Sequence, residues 1–216
     1  MVELIECGAV NNSKKQIHRG KSVTTFAYGS KRIYDYVDDN PAIEILPVDY
    51  VNNPEVICKN DKAHQSLSEQ LKVHSIRRIY VAIVHGNIKE DSGTVNAPVG
   101  RHPTDRKKMS THCKNGREAI THYKVLERFG DYTYIQCELE TGRTHQIRVH
   151  MASIGHPLLG DAVYGPKKCP VKNLQGQTLH AMVLGFIHPR TGAYMEFEAP
   201  IPEYFSNLLL QFRKNV

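Results

Sequence analysis

No apolar run in the sequence is long enough to span a bilayer, which excludes a helical membrane protein. The opening MVELIECGAVNNSKKQ has no basic stretch followed by an apolar one, so no secretory signal is read there and a cytoplasmic location is expected. Cys7, Cys58, Cys113, Cys137 and Cys169 are odd in number and scattered, with no CxxC pair. They read as reduced thiols rather than a disulfide frame or a zinc site. There is no P-loop, no GxGxxG, no internal repeat and no low-complexity segment. A metal- or nucleotide-dependent enzyme therefore has little support.

What is present is an ordinary globular composition, 40% apolar and 23% charged over 216 residues, enough for one good-sized core or one core plus a small appendage. A formal charge of +6 favours a polyanionic partner. The distribution is more specific than the sum. Arg101, Arg106, Lys107, Lys108, Lys114 and Arg117 crowd one segment, with His102 and His112 among them. Charge alone fits a solvated basic loop as well as a nucleic-acid surface.

From residue 56 onward the patterning is locally consistent. NDKAHQSLSEQLKV opens with the N-cap residues Asn60 and Asp61, and Ala63, Leu67 and Leu71 recur every four positions, which predicts an amphipathic helix. IYVAIVHG is a buried strand ending at Gly86. ITHYKVLERF and YTYIQCELET flank Gly130-Asp131 as a hairpin, and LHAMVLGFIHP and YMEFEAP flank Arg190-Thr191-Gly192 as a second. In PEYFSNLLLQFRK, Phe205, Leu208, Leu209 and Phe212 form one helical face after Pro202. Hairpins mixed with helices, without strict βαβ alternation, predict an α+β fold with a mixed, mostly antiparallel sheet flanked by helices. Residues 1–55 show strand-like fragments and turn signals but no sustained period; LIECGAV could form a short helix turning at Gly8.

TGRTHQIRVHMASIGHP carries the densest chemistry. Thr141-Gly142 marks a turn, Thr144 is expected to cap a helix, and Gly155 with Pro157 to end it. Ile147, Met151 and Ile154 would form its buried face, with Arg148 beside them on the side of His145. An arginine at the edge of a core needs an anion, either a carboxylate of the protein or a phosphate of a ligand. Arg143, at the strand-to-helix junction, is placed to meet phosphate. His145 and His150 are five apart, which on a helix turns them roughly 140° from each other and argues against a shared metal. His150 and His156 are expected to be satisfied by hydrogen bonds within the fold.

ELETGRTHQIRVHMASIGHPLLGDAVYG resembles the arginine-bearing motif of the RluA family of RNA pseudouridine synthases. The similarity extends to AHQSLSEQL, RRIYVAIVHG, PVGRHPTDRKKM, both hairpins and the final PIPEYF helix, about residues 56 to 214. It implies the pseudouridine synthase catalytic fold over residues 56–216, the C-terminal portion of that domain, after a divergent segment 1–55. It also implies isomerisation of uridine in RNA, ribosomal or transfer RNA, without cofactor or metal. By the same resemblance Arg148 matches the arginine that pairs with the catalytic aspartate, and Tyr80 the tyrosine that stacks on the base. A tyrosine in a buried strand is otherwise ordinary core. Arg143 and the segment Arg101, His102, Arg106, Lys107 and Lys108 match regions expected to face RNA.

The sequence departs from the family at its catalytic aspartate. Where a motif like HRLDxxTSG is expected, this chain has LPVDYVNNPEVICKND, and only Asp49 offers itself. An ordinary loop aspartate is the competing account. The abrupt onset of similarity at Val56 suggests an altered reading frame or degenerate gene start, which would leave a catalytically impaired RNA-binding homologue as the alternative to a working enzyme. Reading the genomic DNA in all frames tests this; no HRLD-like coding sequence in any frame would sink it.

Overall fold

The computed structural model describes residues 16–18, 21–23, 25–27, 43–46, 55–58, 60–105, 107–172, 174 and 176–214. The LIECGAV segment and Asp49 lie outside them. Early in the chain β1 (Gln16–His18) pairs with β2 (Lys21–Val23). β3 (Thr25–Ala27), β4 (Ile43–Leu46) and β5 (Glu55–Cys58) form a three-stranded sheet with β5 in the middle. After β5 comes α1 (Asp61–Lys72), where Asn60 Oδ1 accepts from the Ala63 amide at 2.9 Å, the cap expected of it.

The main sheet has six strands. In chain order they are β6 (Arg77–His85), β7 (Ser92–Asn96), β10 (Ile120–Arg128), β11 (Tyr132–Leu139), β12 (Leu179–Ile187) and β13 (Tyr194–Glu198); the two-residue strands β8 (Gly100–Arg101) and β9 (Met109–Ser110) form a separate hairpin after β7. The spatial order is β13-β12-β6-β11-β10-β7, and every neighbouring pair is antiparallel. The chain is thus α+β, as its patterning predicts. Both hairpins turn at glycines with positive φ, +73° at Gly130 and +70° at Gly192, a conformation that costs a side chain dearly. The pairing of β10 with β11 is shifted by a bulge between Val125 and Glu127.

β6 lies inside the sheet and is covered on both sides, which is why its sequence is a continuous apolar run. Tyr80, Ala82 and Val84 pack with Ile147 and Met151 of α2 (Gln146–Ser153), while Val81 and Ile83 pack with Phe205, Leu208, Leu209 and Phe212 of α3 (Glu203–Arg213). The α3 face is the one its spacing predicts. α1 closes the β12–β13 side, with Ala63 and Leu67 against Leu184, Phe186 and Phe197. Among the described residues no helix is long and apolar enough to cross a membrane.

Helix α2 departs from expectation at both ends. Its N-cap is His145, in the left-handed region at φ +58°, rather than Thr144. The cap shifts by one because the Gln146 side chain captures the preceding turn, accepting from the Arg143 amide at 2.9 Å and from the Thr141 hydroxyl at 2.8 Å. Ile154 falls just past the helix and is exposed, because the chain already turns toward Gly155 (φ +86°). Residues Gln146 to Met151 are all buried, so α2 is enclosed rather than amphipathic.

Candidate active site

Three groups from the arginine motif converge where β11 hands over to α2. Arg143, His145 and Arg148 line a small cleft together with Leu139, Ile147 and Leu179. Those three apolar residues belong to, or pack against, the cluster that holds Tyr80, so the tyrosine and the arginine share one wall of the core. Tyr80 is itself 4% exposed, paired in register with Cys137 and Ala181 on the flanking strands.

Arg148 projects from α2 into a built carboxylate site. Its Nε donates to Asp161 Oδ2 and its Nη2 to Asp161 Oδ1, both at 2.7 Å, a two-pronged fit between planar groups. Among the described residues Nη1 meets no acceptor. Asp161 Oδ1 also accepts from the Val163 and Tyr164 amides at 2.9 and 3.0 Å. Burial pushes the Asp161 carboxyl up, but the Arg148 guanidinium and the two amides outweigh it and hold the group below its ordinary value. The guanidinium carbon sits 5.0 Å from the centre of the Tyr164 ring, within cation–π range.

His145 stands between this pair and the basic segment. Its Nδ1 lies 2.8 Å from the Tyr164 hydroxyl. Burial, helped by the Arg148 and Arg101 cations against the opposing Asp161 carboxylate, pushes its pKa down to about 4. The ring is therefore neutral at pH 7, and its left-handed backbone stores strain of about 1–3 kcal/mol that the surrounding bonds must hold.

The turn itself is pinned by buried polar bonds. Gln146 Nε2 donates to Ile120 O and to Thr121 Oγ1, both at 3.0 Å, and the Ile120 amide donates to Thr141 Oγ1 at 2.9 Å. His150 spans Thr121 Oγ1 and Ala97 O at 2.9 Å each, and His156 Nδ1 meets His85 O at 2.8 Å, so both are satisfied within the fold as expected. Among the described residues no group of three His, Cys, Asp or Glu side chains could hold a metal ion.

Of the residues expected to face RNA, Arg101 and Lys107 are exposed and His102 and Lys108 half-buried, all on the β8–β9 hairpin; Arg106 lies outside the described residues. His102 Nδ1 is engaged within the loop, accepting from the Thr104 and Asp105 amides at 3.3 and 3.1 Å. Arg143, half-buried, uses its Nε on Glu118 O at 2.9 Å. Sequence reasoning missed Asp161 and Tyr164. Asp161 was open to discovery, since it is the sole acidic residue between Thr141 and Gly165 and Arg148 requires an anion.

Comparison with known proteins points to one family. The profile of the RNA pseudouridylate synthase family matches residues 56–153. An uncharacterised RNA pseudouridine synthase of Bacillus subtilis is 55% identical over 160 residues, covering 74% of this chain and 52% of that protein. Ribosomal large subunit pseudouridine synthase D of Pseudomonas aeruginosa is 45% identical over 171 residues, covering 74% of this chain and 53% of its own. The chain thus spans about half the length of the curated relatives it matches. Among solved structures, the human RNA pseudouridylate synthase domain containing 1 superposes with a TM-score of 0.64 at 23% identity, over 97% of this chain and 98% of that one, a likeness of fold.

Proposed function

Because the chain belongs to the RNA pseudouridylate synthase family, we propose that it isomerises uridine to pseudouridine in structured RNA, with ribosomal RNA the first candidate and transfer RNA the second. The observation that carries this reading is the Arg148 guanidinium, fixed by Asp161 in a cleft whose apolar residues pack with Tyr80. The choice of ribosomal RNA rests on the large-subunit synthases among the relatives. In this reading residues 56–216 form the C-terminal portion of the catalytic domain, and residues 1–55 a divergent N-terminal segment. The protein works in the cytoplasm, where its RNA is.

The reaction breaks the N1–C1′ bond, turns the uracil and joins C5 to C1′, with loss of the C5 proton. It needs a carboxylate acting at C1′ or C2′, a cation that keeps that carboxylate ionised, and an aromatic face for the base. Asp49, or another N-terminal acid, supplies the first, Arg148 the second and Tyr80 the third. The flipped uridine is held by a basic surface formed by Arg101, His102, Arg106, Lys107, Lys108 and Arg143. No metal or redox cofactor enters the scheme.

Tritium release from RNA labelled at uridine C5 tests the proposal. The wild-type chain should release tritium, and Asp49→Asn should abolish release while RNA is still bound. A folded wild-type chain that binds ribosomal and transfer RNA without release would replace the proposal with the alternative of a catalytically impaired RNA-binding homologue. Release that persists in Asp49→Asn would move the catalytic role to another acid.

A further inference from the structure

The Tyr164 side chain joins the hairpin β8–β9 to the Arg148 site. The Met109 amide, on β9, donates to the Tyr164 hydroxyl at 2.8 Å. That same oxygen lies 2.8 Å from His145 Nδ1, so it bridges the hairpin amide and the motif histidine. The ring of the same tyrosine lies 5.0 Å from the Arg148 guanidinium carbon, and its amide caps Asp161 Oδ1 at 3.0 Å. Apolar packing follows the same path, since Met109 and Tyr164 both pack on the cluster of Val99, Ala119 and Val149, the last of these in α2. Each polar end of Tyr164 therefore touches a different part of the machinery: its hydroxyl the basic hairpin and His145, its ring and amide the Arg148–Asp161 pair.

We propose that Tyr164 is a positioning residue that ties the RNA-gripping hairpin to the Arg148 guanidinium, so that docked RNA and the reacting uridine are held in one frame. The inference rests on the functional reading above, in which the hairpin faces RNA and Arg148 serves the chemistry. The hydroxyl sets where the hairpin stands, and the ring sets where the guanidinium points. The two jobs are separable by substitution. Tyr164→Phe keeps the ring and removes the hydroxyl; Tyr164→Leu removes both.

The test is steady-state tritium release from C5-labelled ribosomal RNA fragments by the full chain, with amide hydrogen exchange at Met109 measured on the same samples. In Tyr164→Phe, which removes the bonds to Met109 and His145 together, KM should rise about fivefold or more, the tie to Met109 alone being worth about one hydrogen bond, with kcat within about twofold of wild type and faster Met109 exchange. In Tyr164→Leu, kcat should fall as well. A role in fold stability alone would not divide KM from kcat between the two variants. Unchanged KM in Tyr164→Phe, or a raised KM with unchanged Met109 exchange, overturns the proposal while the wild-type reaction leaves the functional reading standing. A wild-type chain that neither binds RNA nor releases tritium overturns that reading, and the proposal with it.

Discussion

Arg148 and Asp161 are buried, with side chains 10% and 0% exposed, and each would be intolerable there without the other. Asp161→Asn leaves the guanidinium without its counter-charge and should cost about 3–5 kcal/mol in urea unfolding at pH 7, the range for breaking one half of a buried pair. The folded Asp161 pKa is depressed, so its stabilisation is present above the unfolded value and lost as pH falls through the folded one. The gap between wild type and variant should accordingly narrow below about pH 4. An equal gap at pH 3 and pH 7 would show that the carboxylate charge contributes nothing.

His145 titrates in a higher window. Its folded pKa lies near 4 against an ordinary 6.5, so between those values the unfolded chain takes up a proton that the folded one refuses. Stability is full above pH 6.5 and falls toward pH 4, by roughly 3 kcal/mol from this ring alone. His145→Asn keeps a residue that tolerates the left-handed region and cannot titrate. It should flatten that part of the stability profile by about the same amount. A residual slope should remain, because burial also lowers the pKa values of His85, His150 and His180. A profile as steep as wild type would place the acid sensitivity elsewhere.

At the scale of elements, the arginine helix is held more by its preceding turn than by its own sequence. Gln146 serves Thr141, Arg143, Ile120 and Thr121 at once. Gln146→Ala would leave buried partners unmatched, at about 1–3 kcal/mol for each group left unsatisfied. The variant should unfold at clearly lower urea, and Asn60→Ala, an exposed cap worth about 1 kcal/mol, gives the scale for comparison. A Gln146→Ala loss no larger than that of Asn60→Ala would show that water replaces the network. This is also where the sequence was hardest to read. Apart from α2, the helices and hairpins after residue 56 follow from local period, caps and glycines, and they stand where patterning puts them. Thr144 looked like the cap because its type favours that position, but the choice was made by Gln146, whose partners lie about 25 residues earlier on β10. Asp161 was hidden for the same reason. The arginine's need was visible in the helix pattern, whereas the carboxylate that meets it arrives from a loop 13 residues on.

For the whole molecule, the formal charge of +6 matters less than where it gathers. The β8–β9 loop is shaped by contacts that do not involve its lysine side chains: the His102 amide donates to Lys108 O at 3.1 Å, the Lys108 amide to Asp105 O at 3.0 Å and the Lys107 amide to Asp105 Oδ1 at 2.9 Å. Removing the Lys107 and Lys108 side chains together therefore alters charge without dismantling the loop. If this hairpin grips RNA through its backbone, the double substitution to alanine should weaken binding of unrelated RNA sequences alike and reduce the slope of log K against log salt by about 2, one for each lost phosphate contact. The kcat for tritium release should be nearly untouched at saturating RNA, since Arg148 and Asp161 are held by bonds that no lysine of the loop makes. An unchanged salt slope would mean that the positive charge of this segment is solvated surface, and the phosphate grip would then have to be sought at Arg143, which lines the same cleft as Arg148.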